Sequence, residues 1–311
     1  MQLAEYLCSK LSTSKAELIK LASSAPNRYK VYRIPKRNAG TRVIAHPAKL
    51  LKCYQRHLVQ LLETTLPVHQ SAYAYKRGVG IRDNAQYHSS GRFLLKMDFQ
   101  NFFHSINPDL LLQMMEANNT TLEKEDRWVL NQLVFWRPSK TSGGKLILSI
   151  GAPSSPFISN FIMFKFDEEI NAECKKRGIK YTRYADDLTF TTNVKNSLFE
   201  IPSLVKQQLR VSLHNNISIN EAKTVFSSKA HNRHITGVTI TNEGNVSLGR
   251  ARKRYISSMI HKFKLGILPK EDRSHLQGLL AFSNDIEPDF VSRMAKKYTH
   301  VVIQALLKGA A

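Results

Sequence analysis

Two adjacent aspartates interrupt a stretch of strand-forming residues, Tyr181-Thr-Arg-Tyr-Ala-Asp-Asp-Leu-Thr-Phe-Thr-Thr192. β-Branched and aromatic residues on both sides of a short acidic break specify an antiparallel hairpin with carboxylates at its tip. A second apolar run, Phe93-Leu-Leu-Lys-Met97, ends on Asp98 and reads as a neighbouring strand. Neighbouring strands lie about 4.7–4.9 Å apart, so their carboxylates can meet. Asp98, Asp186 and Asp187 are then the donor set a two-metal nucleotidyl transferase needs. Two Mg²⁺ ions about 3.5–4 Å apart would activate the attacking hydroxyl and stabilise the leaving oxygen, and such hard cations take oxygen ligands. The competing reading is a solvated acidic turn, since Asp is common in turns.

Charge narrows the partner. The chain of 311 residues carries 46 Lys+Arg against 24 Asp+Glu, a formal charge of +22. That excess points to a polyanion, because neutralised phosphates release counterions. A membrane surface is the competing polyanion, but no apolar run approaches the roughly 18 residues of a membrane span and no signal peptide opens the chain. A spanning or secreted protein is therefore not expected, and nucleic acid rather than membrane is the expected partner. Cys8, Cys53 and Cys174 are odd in number and scattered. They form no zinc pattern and suggest a reducing, cytoplasmic setting.

Periodicity and turn signals predict a mixed α+β chain. Residues 1–25 read as helical up to Pro26, and 28–47 as a hairpin around the basic turn Pro35–Gly40. A helix follows over 49–66, then the Asp98 strand. Helical material is expected from Asn107 to Phe135, a short strand over Leu146–Ile150, and one long helix from Ser154 to Arg177. After the acidic hairpin come a helix over Pro202–Leu213 and short strands with Gly turns from Val225 to Leu248. The end reads as three helices, about 250–265, 270–282 and 288–308.

Taken together, the motifs resemble those of reverse transcriptases, in that family's order and from about residue 28 to 265. Ile34-Pro-Lys-Arg-Asn-Ala-Gly-Thr-Arg-Val-Ile44 resembles the fingers motif, and Leu95-Lys-Met-Asp-Phe-Gln-Asn-Phe-Phe-His-Ser-Ile106 the first palm motif. Gly151-Ala-Pro-Ser-Ser-Pro-Phe-Ile-Ser-Asn160 resembles the palm helix motif, Tyr184-Ala-Asp-Asp187 the metal hairpin, and Ile219-Asn-Glu-Ala-Lys-Thr224 the next palm motif. Asn84-Ala-Gln-Tyr-His88 and Thr236-Gly237 resemble the signatures of bacterial retron enzymes, with Ile235 where Val is usual. A larger departure is Ile150, where many reverse transcriptases place Gln before Gly-Ala-Pro. No integrase, nuclease or maturase-like appendage is expected.

The resemblance implies a right-hand polymerase with fingers, a palm of small antiparallel sheet and helices, and a helical thumb. The expected divisions are 1–95 for the N-terminal helix and fingers, 96–235 for the palm with finger helices at about 107–150, and 236–311 for the palm end and basic thumb. It implies that Asp98 and Asp186 bind metal directly, with Phe99 in the metal set and Asp187 supporting the second ion. Mg²⁺ is expected, with Mn²⁺ as a substitute. Phe103 stands where the family places the ring that blocks a ribose 2′-hydroxyl, although either Phe102 or Phe103 could be core. Lys36, Arg37 and Arg42 lie on the basic finger hairpin, where Arg suits bidentate phosphate contacts; a solvated basic turn is the alternative. Gly151 opens a backbone turn before a helix N-terminus, a place suited to phosphate or sugar. Lys223 is either a general acid for leaving pyrophosphate or a surface lysine.

Ile256, Met259, Ile260 and Phe263 recur at helical spacing between Arg250, Arg252, Lys253, Arg254, Lys262 and Lys264. This amphipathic helix with a basic rim suits an RNA or hybrid duplex read through its backbone and shape. For Asn84, His88, Thr236 and Gly237 only the resemblance supplies a role, in retron-specific RNA handling.

The expected activity is RNA-directed DNA synthesis from deoxynucleotides. A structured noncoding RNA would be copied into short single-stranded DNA from a guanosine 2′-hydroxyl, giving branched msDNA in antiphage defence. A separate effector or toxin and host RNase H would be partners. The alternatives are a non-retron bacterial reverse transcriptase, or a scaffold that holds msDNA and an effector inactive.

Overall fold

A computed structural model describes residues 2–35 and 40–308. Lys36 and Arg37 therefore lie outside the described residues. The chain forms two compact units, each assembled from three separate segments. The first takes the chain up to Arg77, Lys96–Leu188 and Phe199–Val225; the second takes Gly78–Leu95, Thr189–Leu198 and Phe226 onward. Both mix helices with small sheets, as the α+β reading expects.

In the first unit the N-terminal helical stretch is broken. Leu3–Leu11 ends on Ser12 in a left-handed conformation, and a capping box between Ser14 and Glu17 starts Lys15–Ser24. Ser, with its short polar side chain, tolerates both roles. The expected hairpin forms as β1 (Tyr29–Pro35) and β2 (Thr41–Pro47), antiparallel with Tyr29 opposite Pro47 and Ile34 opposite Arg42. The next helix, Lys49–Leu62, stops short of residue 66 and buries Leu51, Tyr54, Leu58 and Leu62 on one face. The stretch from 107 to 135 is two helices, Pro108–Ala117 and Lys124–Val134.

The central strands are β3 (Phe93–Gln100), β4 (Lys180–Tyr184), β5 (Asp187–Thr192) and β6 (Ser218–Ile219), in the order β4-β5-β3-β6. Alternation alone would expose one face of β5, yet Leu188, Thr189, Phe190, Thr191 and Thr192 are all buried. The helix expected over 154–177 is two helices, Ser155–Ile162 and Phe164–Lys176, parted where Met163 relaxes to ψ 0°. Leu146–Ile150 is no strand. Ile147 makes a single bridge to Trp136, and the next amide, Leu148, bonds to Ile106 instead.

The second unit holds β7 (Val225–Ser228) from its second residue, and a three-stranded antiparallel sheet of β8 (Arg233–Ile235), β9 (Val238–Ile240) and β10 (Val246–Ser247) in the order β10-β9-β8. Thr236 (φ 44°) and Gly237 (φ 86°) link β8 to β9. Positive φ at both central residues is what a two-residue hairpin turn of matching twist requires. The helix Ile81–His88 packs on this sheet. The C-terminal part has four helices rather than three: Arg250–Lys264, Lys270–Ile286, Pro288–Tyr298 and His300–Lys308, the last two separated at Thr299 with φ 81°. Their apolar faces join Ala85, Leu94, Ile235 and Val238 in one core with Ile256, Ile260, Leu276, Leu280 and Phe290. No described helix is long and apolar enough to cross a membrane.

Candidate active site

The β4–β5 turn carries Ala185, Asp186 and Asp187. Ala185 is left-handed at φ 57°, a conformation costing a residue with a Cβ roughly 1–2 kcal/mol. Hydrogen bonds hold it there. Arg183, wholly buried on β4, donates from Nη1 to the Ala185 carbonyl at 3.0 Å. Its remaining donors grip the buried Asp167 through Nε at 2.9 Å and Nη2 at 2.7 Å. Tyr181 completes the cluster, donating to Asp167 at 2.7 Å. The turn is also tied to β3, since the Phe99 amide donates to the Asp186 carbonyl at 3.0 Å.

The three expected aspartates therefore share one end of the sheet. Asp98 is buried, its carbonyl accepts the Asn220 amide at 2.7 Å, and its carboxylate meets Lys223 Nζ at 2.7 Å. Burial and the Asp98 charge raise Asp186, against the opposing pull of Lys223 and Arg42. Asp187 keeps an exposed face, but lost hydration and the carboxylates of Asp186 and Asp98 push it up to about 6. Mutual repulsion of carboxylates disfavours their charged forms.

Among the described residues no three acidic, imidazole or thiol side chains close around a single point; Lys223 holds the Asp98 carboxylate instead. The chemistry of the set nevertheless fits a hard divalent cation. It is all oxygen and carries excess negative charge, offset in part by Lys223, Arg42 and Lys96. The ring of Phe99 is buried and stacked on Phe102 with centroids 5.4 Å apart, so only its main chain could serve a cation.

A cavity of about 340 Å³ in the same unit is lined by Tyr75, Phe103, Ser149, Gly151 and Ser155, with Lys52 on its rim. The structure separates the two candidate phenylalanines: Phe102 is core, and Phe103 is half-buried on the cavity wall. Gly151 has φ 120°, and a Cβ there would stand 3.1 Å from Ile44 Cγ2 and 3.2 Å from the Ala45 carbonyl. Only glycine lets this turn press onto β2, where the Ala45 amide bonds to the Ile150 carbonyl at 3.0 Å. The hydroxyls of Ser149 and Ser155 are buried on this wall without a hydrogen-bond partner. Arg42 is exposed on β2 and close enough to stabilise the Asp186 charge.

The remaining expected residues lie in the second unit. Arg250, Arg254, Lys262 and Lys264 are exposed on the first C-terminal helix. Two neighbours are engaged internally: Arg252 donates to the Gly237 carbonyl at 3.0 Å and lies over the Phe282 ring, and Lys253 pairs with Glu287 at 2.7 Å. Asn84 and His88 are completely buried, with His88 Nδ1 2.7 Å from Thr191 Oγ1. Neither presents a surface to RNA. Thr236 and Gly237 form the β8–β9 turn.

Sequence reasoning missed Arg183 and Tyr75. For Arg183 a signal existed: a cation flanked by Tyr181 and Tyr184 in a strand leading to a candidate site needs a counter-charge if it is buried. Tyr75 offered none, because its importance comes from a left-handed backbone at φ 62°.

Comparison with known proteins shows the family of the chain. Residues 34–240 match the family described as reverse transcriptase (RNA-dependent DNA polymerase). The Retron Ec83 reverse transcriptase of Escherichia coli is 46% identical over 288 residues, covering 93% of this chain and 92% of the relative. The Retron Ec73 reverse transcriptase, also from Escherichia coli, is 29% identical over 286 residues and 88% of each chain. Among solved structures, telomerase from Candida albicans with a fragment of telomeric RNA aligns with a TM-score of 0.47 at 14% identity, over 91% of this chain and 61% of that one. A foamy viral protease-reverse transcriptase with double-stranded DNA gives 0.43 at 15% identity, over 90% and 44%.

Proposed function

Because the chain belongs to the reverse transcriptases, and among them to the bacterial retron enzymes, we propose that it copies part of its own structured noncoding RNA into short single-stranded DNA. Priming is from a guanosine 2′-hydroxyl of that RNA, so the product is a branched RNA–DNA, msDNA. The setting is the cytoplasm. Host RNase H trims the template, and msDNA acts with a separate effector or toxin in antiphage defence. In this reading the fingers are residues 1–95, the palm 96–235 with finger helices at about 107–150, and the palm end and thumb 236–311.

The observation that carries the proposal is the convergence of Asp98 with Asp186 and Asp187 at the β4–β5 turn. These carboxylates, with the Phe99 carbonyl, are the residues to hold two Mg²⁺ ions. Bound there, the metals would make the primer hydroxyl a better nucleophile and neutralise the departing pyrophosphate. The protein supplies position and charge. Arg42 and Lys36 neutralise the triphosphate. Phe103 closes the space a ribose 2′-hydroxyl would need. The Gly151 turn brings main chain against the nucleotide. Lys223, within reach of Asp98, is the proton donor to pyrophosphate. The exposed cations Arg250, Arg254, Lys262 and Lys264 follow the backbone of the RNA.

Primer extension on an RNA template with deoxynucleotides and Mg²⁺ tests the reading. The double substitution Asp186→Asn, Asp187→Asn should abolish synthesis and leave RNA binding intact. Undiminished synthesis by that variant would overturn the assignment.

A further inference from the structure

Tyr75 belongs to none of the motifs above, yet its setting is unusual. Its backbone is left-handed at φ 62°, and the residue is 55% exposed. A bulky residue at positive φ is costly, and such strain collects at functional sites. The strained segment is fastened from behind. Tyr73 donates its amide to the Arg183 carbonyl at 2.8 Å, and the Arg183 amide donates to Ser71 at 2.7 Å. Asn160, itself buried, donates from Nδ2 to the Ala74 carbonyl at 2.9 Å and accepts from Arg183 Nη1 at 3.1 Å. One asparagine thus links the residue before Tyr75 to the arginine that holds the aspartate turn.

The ring this produces stands edge-on to Phe103, with centroids 6.5 Å apart and planes at 65°. Both line the 340 Å³ cavity, and so do the cationic residues Lys52 and Arg56. The cavity is therefore furnished for an occupant with an apolar face and polar edges. Burial and the nearby Asp186 carboxylate raise the Tyr75 phenol above its ordinary range.

We propose that Tyr75 is a second nucleotide-contacting residue, whose ring makes an aromatic corner with Phe103 against the sugar and base of the incoming deoxynucleotide, and that Asn160 positions it. This rests on the reading of the cavity as the nucleotide site. Tyr75→Gly removes the ring and relieves the backbone together, so it should fold as well as the parent.

Steady-state extension of a preformed primer–template provides the test, with template binding and thermal melting followed in parallel. Tyr75→Gly should raise KM for deoxynucleotide about five- to a hundredfold, the range for losing an aromatic platform under a base. Primer–template Kd should not rise above, and the melting temperature should not fall below, that of the parent. Tyr75→Phe should stay within roughly twofold of the parent KM, a change too small to count as lost binding. Asn160→Ala should raise KM in the parent and add nothing to Tyr75→Gly, as expected of residues acting through one another.

A parental KM in Tyr75→Gly would overturn the proposal. So would a Tyr75→Phe variant as impaired as the glycine, because the contact would then belong to the hydroxyl. Failure of the unaltered protein to extend any primer would instead remove the assignment of the cavity itself, and Tyr75 with it.

Discussion

Removing the Asp167 carboxylate should destabilise the central sheet and silence the site by separable routes. Asp167 and Arg183 are both wholly buried, joined at 2.7 Å, and Arg183 also serves Asn160 and the Ala185 carbonyl. Asp167→Ala strands a guanidinium in the interior, and breaking one side of a buried pair costs about 3–5 kcal/mol. At about 2–4 °C per kcal/mol, the melting temperature should fall by roughly 6–20 °C. The double substitution Asp167→Leu, Arg183→Met removes both charges and restores apolar packing, so most of that loss should return. Activity should not return with it, because the Ala185 carbonyl loses its donor and left-handed Ala185 loses its restraint. Scanning calorimetry and primer extension on the same preparations separate the two effects. The reasoning fails if Asp167→Ala melts with the parent, or if the double variant regains full extension.

Three further outcomes are expected. Phe103→Ala should admit ribonucleotides in a competition assay, since the ring lines the cavity while Phe102 fills the core; unchanged sugar selectivity would make Phe103 a packing residue. Neutralising the exposed Arg250, Arg254, Lys262 and Lys264 should flatten the salt dependence of RNA binding by roughly 0.7–0.9 in log–log slope per lost phosphate contact. The same change at Arg252 and Lys253 should act mainly on melting temperature, because both are engaged internally. Burial tends to raise the Glu287 carboxyl, but bonds from Lys253, the Leu248 amide, Arg293 and Ser247 outweigh it and hold the group below its usual range. With the folded value depressed, its stabilisation is present above the unfolded value of about 4.3 and is lost as pH falls through the folded one. Glu287→Gln should therefore lower stability at pH 7 and weaken the acid dependence of melting; an unaltered acid limb would contradict this.

The acidic hairpin is legible in the sequence because alternation and turn chemistry agree over Tyr181–Thr192. The β1–β2 hairpin and the apolar face of Arg250–Lys264 are legible for similar reasons. The interruptions are not. Ser12, Met163 and Thr299 end helices without a Gly or Pro to mark them, because packing decides there. Arg183 finds its partner 16 residues away on a helix, a pairing no local pattern contains. Among the candidate residues, the aspartates and Phe103 follow from spacing and motif order. Tyr75 does not, since backbone strain depends on distant hydrogen bonds. The roles expected for Asn84 and His88 meet a different limit: a motif marks a position, and only coordinates tell whether it faces inward.

That inward orientation bears on how such enzymes diversify. Asn84 and His88 sit in the interior of the unit whose outer surface bears the exposed cations Arg250, Arg254, Lys262 and Lys264. Interior positions are constrained by fit, whereas exposed ones away from special features change at little cost in stability. On the proposed function the RNA contacts lie on the outside of this unit, so one RNA could be exchanged for another by rewriting that surface while Asn84 and His88 stayed fixed. Engineering a new template preference would then begin at the solvent-facing side chains.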